Sequence, residues 1–122
     1  MKNKEINRLI AEKVMGWVLE DNVLNFDEDT TENAYVINGE TNQLKKVYKF
    51  EKDFNPSIDI SHAWLVVEKL YVSVTPQCGA PYDMQCHAEI DNQPTGNYYE
   101  AFAKTAPLAI CKVALRSYGI EI

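Results

Sequence analysis

The sequence predicts an α+β domain in which three helices cover a mostly antiparallel sheet of about five strands. Three segments carry apolar residues at helical spacing, and several short runs alternate polar with apolar residues between turn-forming dipeptides. The chain has 122 residues, 46% hydrophobic and 25% charged, the size and balance of one globular unit, so residues 1–122 are read as a single domain. The pattern leaves open whether the helices lie on one face of the sheet or on both.

Residues 4–17 place Ile6, Leu9, Ile10, Val14 and Trp17 on one helical stripe, with Glu5, Arg8, Glu12 and Lys13 opposite. Gly16 gives the chain a place to turn, after which Trp17, Val18 and Leu19 begin a strand. Two strand-like runs, 34–37 and 44–50, flank Asn38-Gly39, a dipeptide suited to a hairpin turn. Phe54-Asn55-Pro56-Ser57 leads into a second helix, with Ser57 as expected N-cap and Asp59 placed well against the helix dipole. Ile60, Trp64, Val67 and Leu70 form its stripe, and Leu65 lies off it as an apolar contact for a self-associating surface. Val72 and Val74 alternate within a strand over 71–75, and a Pro- and Gly-containing stretch ends it. Cys86, Ala88 and Ile90 alternate with His87, Glu89 and Asp91, and a turn at 92–96 joins them to a strand over 98–103. Thr105 caps the last helix, Pro107 fits its first turn, and Gly119 sits where a left-handed C-terminal cap belongs. Apolar residues cover most of this helix, which predicts extensive burial.

Charge narrows the function. Eighteen acidic residues against twelve basic ones give a net charge of -6, which disfavours binding to a phosphate backbone. Residues 57–119 share their element order with double-stranded-RNA-binding domains, but the last helix opens Lys104-Thr105-Ala106-Pro107-Leu108, without the basic cluster such modules present to phosphates. No nucleic-acid partner is expected. No apolar run approaches the roughly 20 residues of a spanning helix, so no membrane partner is expected either. The N-terminus enters a charged segment without the features of a signal peptide, which predicts a cytoplasmic protein.

Residues 14–44 contain no Lys or Arg and seven acids. A solvated acidic loop is the plain reading; a face steering towards a basic partner is the functional one. Asp21, Asp27, Glu28, Asp29 and Glu32 are the candidate partner-binding residues. A calcium loop does not fit, because Glu32 replaces the required sixth-position Gly and Asn38 stands at the twelfth.

Cys78, Cys86, His87 and Cys111 lack the close ligand pairs of a zinc site, and the odd number of cysteines points to free thiols. His87 follows Cys86 directly, so on a strand the two side chains face opposite ways and cannot form a nucleophile–base pair. His62, opposite the main stripe of its helix, reads as a capping-region histidine. No catalytic residue, cofactor or metal ligand is expected.

The blocks Glu5-Ile6-Asn7-Arg8-Leu9-Ile10-Ala11-Glu12-Lys13-Val14-Met15-Gly16-Trp17, Asn55-Pro56-Ser57-Ile58-Asp59-Ile60-Ser61-His62-Ala63-Trp64 and Thr105-Ala106-Pro107-Leu108-Ala109-Ile110-Cys111 resemble the phage ABA sandwich domain family. The resemblance implies an α/β/α three-layer sandwich, a phage or prophage origin in a Gram-positive bacterium, and action inside the host cell. It implies no established activity, and its matched residues transfer a fold, not a site. The resulting expectation is a non-catalytic phage accessory protein that binds a host or phage macromolecule through its acidic surface. The alternative is a small-molecule binder that sequesters a host defence signal. Its pocket would lie between the 76–83 loop and the tyrosine hairpin, using Tyr82, His87, Tyr98 and Tyr99. The tyrosines at 71, 82, 98, 99 and 118 also suit a protein interface or a homo-oligomer.

Overall fold

The computed structural model describes residues 2–25, 27–37, 46–92 and 96–122. Helix α1 (Asn3–Leu9) runs into a π-helical turn, Ile10–Val14, in which the Met15 amide donates to the Ile10 carbonyl at 3.0 Å. The wider turn keeps Ile10, Ala11 and Val14 all on the buried side. Gly16, at φ +74°, then reverses the chain, so Trp17 opens a strand and does not extend the helical stripe.

Strand β1 (Trp17–Asn25) pairs antiparallel with β2 (Thr30–Ile37), from Trp17 opposite Ile37 to Asn25 opposite Thr30. The register slips between Glu20 and Val23, where Asn22 adopts φ 55°, a left-handed conformation that asparagine tolerates. Most of the acidic segment is therefore hairpin, its strands running beyond the expected Trp17–Leu19 and 34–37. The Asn25 side-chain oxygen closes its turn by accepting from the Asp27 and Glu28 amides at 3.1 and 3.3 Å. Strand β3 (Lys46–Phe50) pairs with β2 as expected, with Ala34 opposite Phe50; the Asn38-Gly39 turn lies outside the described residues.

A short 3-10 turn, Glu51–Asp53, leads through Phe54 to α2 (Ile60–Leu70). Its N-cap is Asp59, which accepts from the Ser61 and His62 amides, and not Ser57. Residues 55–59 first make a turn of their own, the Ile58 and Asp59 amides both donating to the Asn55 carbonyl, so the helix starts two residues later than expected. The second half then reads β4 (Ser73–Pro76), β5 (Cys86–Asn92), β6 (Asn97–Ala103) and α3 (Ala106–Ser117), in the order predicted. Thr105 caps α3 by accepting from the Leu108 amide, and Gly119 takes φ +80° beyond its end.

The α+β class holds. In place of one sheet of about five strands, six described strands form two antiparallel three-stranded sheets, β1-β2-β3 and β4-β5-β6. Ala88, Ala101 and Ala103 present a flat small-residue surface on which α3 packs, while its other side meets α2 and the π-helical turn. Six α3 residues, Ala109, Ile110, Cys111, Val113, Ala114 and Leu115, are consequently buried. The first sheet joins this core through three rings. Phe54 is fully buried, edge-on to Trp17 at 4.9 Å and to Tyr35 at 6.1 Å between centroids.

Phe54→Ala is expected to destabilise the fold by about 3–5 kcal/mol, the usual cost of deleting a buried aromatic ring. Urea denaturation followed by tryptophan fluorescence reads the loss as a fall in midpoint.

Candidate functional site

Residues 51–59 connect the first sheet to α2; the side chains of Glu51, Lys52, Asn55 and Asp59 are held by hydrogen bonds or ion pairs, while the buried Ser57 hydroxyl has no hydrogen-bond partner among the described residues. Arg8 of α1 grips the Glu51 carboxylate with two guanidinium nitrogens. That contact holds the Glu51 carboxyl below its ordinary range, with burial opposing. Asn7 is buried; its side-chain oxygen accepts from the Ser57 amide at 3.0 Å and its nitrogen donates to Asn55 at 3.3 Å. Asn55 donates its side-chain nitrogen to the Lys52 carbonyl at 2.9 Å and its backbone amide to His62 Nδ1 at 2.9 Å. His62 therefore serves the helix entry as an acceptor, with its ring stacked on Phe54. It is a capping-region histidine, as the sequence implies.

The acidic residues separate into two groups. Glu28 and Glu32 both pair with Lys52, the latter at 3.2 Å, and Asn25 donates to Glu32 at 2.7 Å. Those contacts, led by Asn25, lower the Glu32 pKa. Asp21, Asp27 and Asp29 are exposed and have no hydrogen-bonded or ionic side-chain partner among the described residues. One lysine from the connecting segment thus neutralises part of what the sequence presents as an uninterrupted negative run.

Of the proposed ligand residues, His87 and Tyr98 meet on the outward face of the second sheet. His87 Nε2 lies 3.1 Å from Glu100, and the Tyr98 hydroxyl lies 2.7 Å from Glu89 and 3.1 Å from Glu100. These bonds raise the Tyr98 pKa, and the His87 contact leads in lowering that of Glu100. Tyr99 faces the opposite way, towards the core, as strand alternation requires. It lines a cleft of about 360 Å³ with Tyr71, Tyr118 and Leu70, so the walls facing it come from the ends of α2 and α3 and not from the 76–83 loop. Tyr82 stands apart, exposed on a 3-10 turn at Tyr82–Met84.

Helix α2 carries the feature that sequence reasoning inverted. Its stripe of Ile60, Trp64, Val67 and Leu70 was expected to face inwards, yet Ile60 is 49% and Trp64 52% exposed. The buried face is Ala63 and Val66, with Val67, Leu70 and also Leu65 packed at its margins. Leu65 is therefore not an outward contact. Ile58 (65% exposed) precedes the helix, and Tyr71 (87%) ends it in a left-handed conformation at φ 55°. Helical spacing puts residues 60 and 64 on one face. Ile58 and Lys52 line a common cavity, which brings the apolar face and the acidic hairpin to the same side of the connecting segment.

The three cysteines are free: Cys78 is exposed, Cys86 half-buried and Cys111 buried, its thiol pushed up to about 12 by desolvation. Cys86 packs towards the core, and His87 lies against Phe102 on the other face at 4.6 Å. Among the described residues no group of three or more His, Cys, Asp or Glu side chains gathers so as to hold a metal ion. No described helix is long and apolar enough to cross a membrane.

These features define a small layered α+β protein whose distinctive surfaces are an apolar helix face, an acidic hairpin and polar clefts. The sequence profile of the phage ABA sandwich domain matches residues 8–115, and the chain belongs to that family. Its fold is similar to that of a phage protein from Bacillus cereus ATCC 14579 solved by crystallography, with a TM-score of 0.69 and 31% identity over 100% of this chain and 92% of that one. A search of curated proteins finds no match.

Glu51→Gln tests the Arg8 contact. Because the folded-state pKa of Glu51 is depressed, its stabilisation is present above the ordinary carboxylate value and is lost as pH falls through the lower folded value. The variant is expected to be less stable than the parent at pH 7, with the gap closing below about pH 4. Thermal unfolding across that range measures it.

Proposed function

We propose that this phage protein is a non-catalytic accessory factor that acts in the cytoplasm of the host cell by binding a host or phage protein through the outward face of α2. The observation that carries the reading is Trp64, half-exposed in the middle of a well-formed helix with Ile60 one turn before it. Exposed tryptophan is the residue type most enriched at the energetic centres of protein interfaces. Ile58, Ile60, Trp64 and Tyr71 are each exposed and gain nothing from solvent.

Charge gives the partner its chemistry. Asp59 and Glu68 border the apolar face, Asp27 and Asp29 sit on the hairpin turn, and the chain carries -6 overall. A partner with an apolar pocket rimmed by Lys and Arg is the complement, with the acids speeding encounter and Trp64 supplying the retained contact. Glu28 and Glu32, already paired with Lys52, contribute less than the sequence implies.

Tagged protein recovered from infected cells and analysed by mass spectrometry, with Trp64→Ala alongside, tests this reading. The native chain is expected to retain a partner with a basic surface, and Trp64→Ala to weaken that complex by at least ~30-fold, the loss of a central anchor of about 2 kcal/mol. The variant's melting midpoint should stay within a few degrees of the parent's. Equal recovery by the variant overturns the reading, and so does a Trp64-dependent dimer of the purified chain, which would make the face a self-association surface.

A further inference from the structure

A free strand edge offers a row of unpaired backbone donors and acceptors to any extended segment that meets it, and proteins that stay discrete defend such edges. In the second sheet the order β4-β5-β6 leaves two edges. Strand β4 is poor at pairing by itself, being four residues long and ending in Pro76. Strand β6 is not. Its seven residues, Asn97-Tyr98-Tyr99-Glu100-Ala101-Phe102-Ala103, include three aromatics and neither Pro nor Lys, a composition that favours pairing. Its one carboxylate, Glu100, is already engaged by His87 and Tyr98.

The defence of β6 comes from α3, which packs on β5 and β6. Arg116 donates from Nη1 to the Glu100 carbonyl at 2.6 Å, and Lys112 donates from Nζ to the Phe102 carbonyl at 3.4 Å. Alternate residues of an antiparallel strand turn their N–H and C=O groups to the same edge, so these two carbonyls share the edge away from β5, where no strand competes for them. The spacing of the two elements matches. Two residues of strand advance about 6.8 Å, and the four from 112 to 116 advance the helix about 6 Å. Successive turns of α3, running antiparallel to β6, therefore meet successive outward carbonyls. Arg116 is held in place in turn by Glu121, 3.3 Å from its Nε.

We propose that Lys112 and Arg116 form a latch that closes the β6 edge against strand addition by the β6 of a second copy of the chain. Every copy carries the same seven-residue edge, equal in length and with its single carboxylate engaged, so neither length nor charge opposes the pairing once the carbonyls are released. The latch is separate from the α2 face and does not depend on that face having a partner.

The double variant Lys112→Ala/Arg116→Ala, sedimented over a range of concentrations, tests the latch. Removing two cations takes the net charge from -6 to -8, which by itself opposes association. The double variant is nevertheless expected to self-associate at least about tenfold more tightly than the parent, and the Glu100 and Phe102 amides to gain protection from hydrogen exchange as it does so. Adding Trp64→Ala should leave that association unchanged, which separates the edge from the α2 face. Lys104→Ala, a charge change at an exposed position just beyond β6, should sediment as the parent does. Arg116→Ala alone, which keeps Lys112, is expected to associate in the same direction by a smaller factor, and it carries the test if the double variant loses its helical circular dichroism. Folded variants that sediment as the parent does overturn the proposal. So does association that Trp64→Ala abolishes, that Lys104→Ala reproduces, or that leaves the Glu100 and Phe102 amides unprotected.

Discussion

The two sheets share no strand pairing among the described residues, so side-chain packing holds them to one core, and Phe54 sits where they meet. A three-stranded sheet has one face to bury and no ladder with which to attach itself to a second sheet. Phe54 sits at the crossing, fully buried, with Trp17 and Tyr35 of the first sheet on its edges and His62 of α2 stacked over it. Burial alone is indifferent to orientation. Direction comes from the polar pins on either side of the ring: Arg8 on Glu51 before it, Asn7 on Asn55 and Ser57 after it. The contact that fixes the two halves of the fold therefore also builds the polar frame of the cavity.

How much of this was legible depended on whether local signals and tertiary packing agreed. In α3 they agree throughout: Thr105, Pro107 and Gly119 mark the ends, and a nearly all-apolar circumference demands burial on all sides. The β5–β6 hairpin was legible for the same reason, since small inward residues alternate with polar outward ones. Helix α2 shows the limit. Its span follows from its period, but the direction of its stripe does not, because a hydrophobicity pattern weights Trp64 heavily and Ala63 hardly at all. Close approach of another helix needs the small residue, so Ala63 and Val66 face α3 and the tryptophan is turned out. Strand β1 was legible only at its start, Trp17 to Leu19, because Glu20, Asp21 and Asn22 interrupt any alternation at the point where the strand bulges and hide its run to Asn25.

The candidate site was less legible than the fold, and for a different reason. Its parts come from separate stretches of chain, none of which carries a motif. Lys52 lies outside the acidic segment, so a sum of charges along the sequence misses the pairing with Glu28 and Glu32. Asn7 and Asn55 were visible only as members of blocks attributed to scaffold, though they form a part-buried amide pair. Tyr35 reads in sequence as one aromatic of a strand. Only the fold reveals that its hydroxyl is enclosed and unanswered.

The division into patterned scaffold and irregular functional connections therefore does not hold for this protein. Its exposed apolar residues lie mainly on a regular helix, and the polar groups around the cavity beside α1 come from α1 and from the segment that leads into α2. The 11-residue α2 buries Ala63 and Val66 fully and Leu65, Val67 and Leu70 in part, a packing that does not by itself fix where the helix begins. Its start is set instead by the Asp59 cap and by His62 accepting from Asn55, within the same segment that lines the cavity.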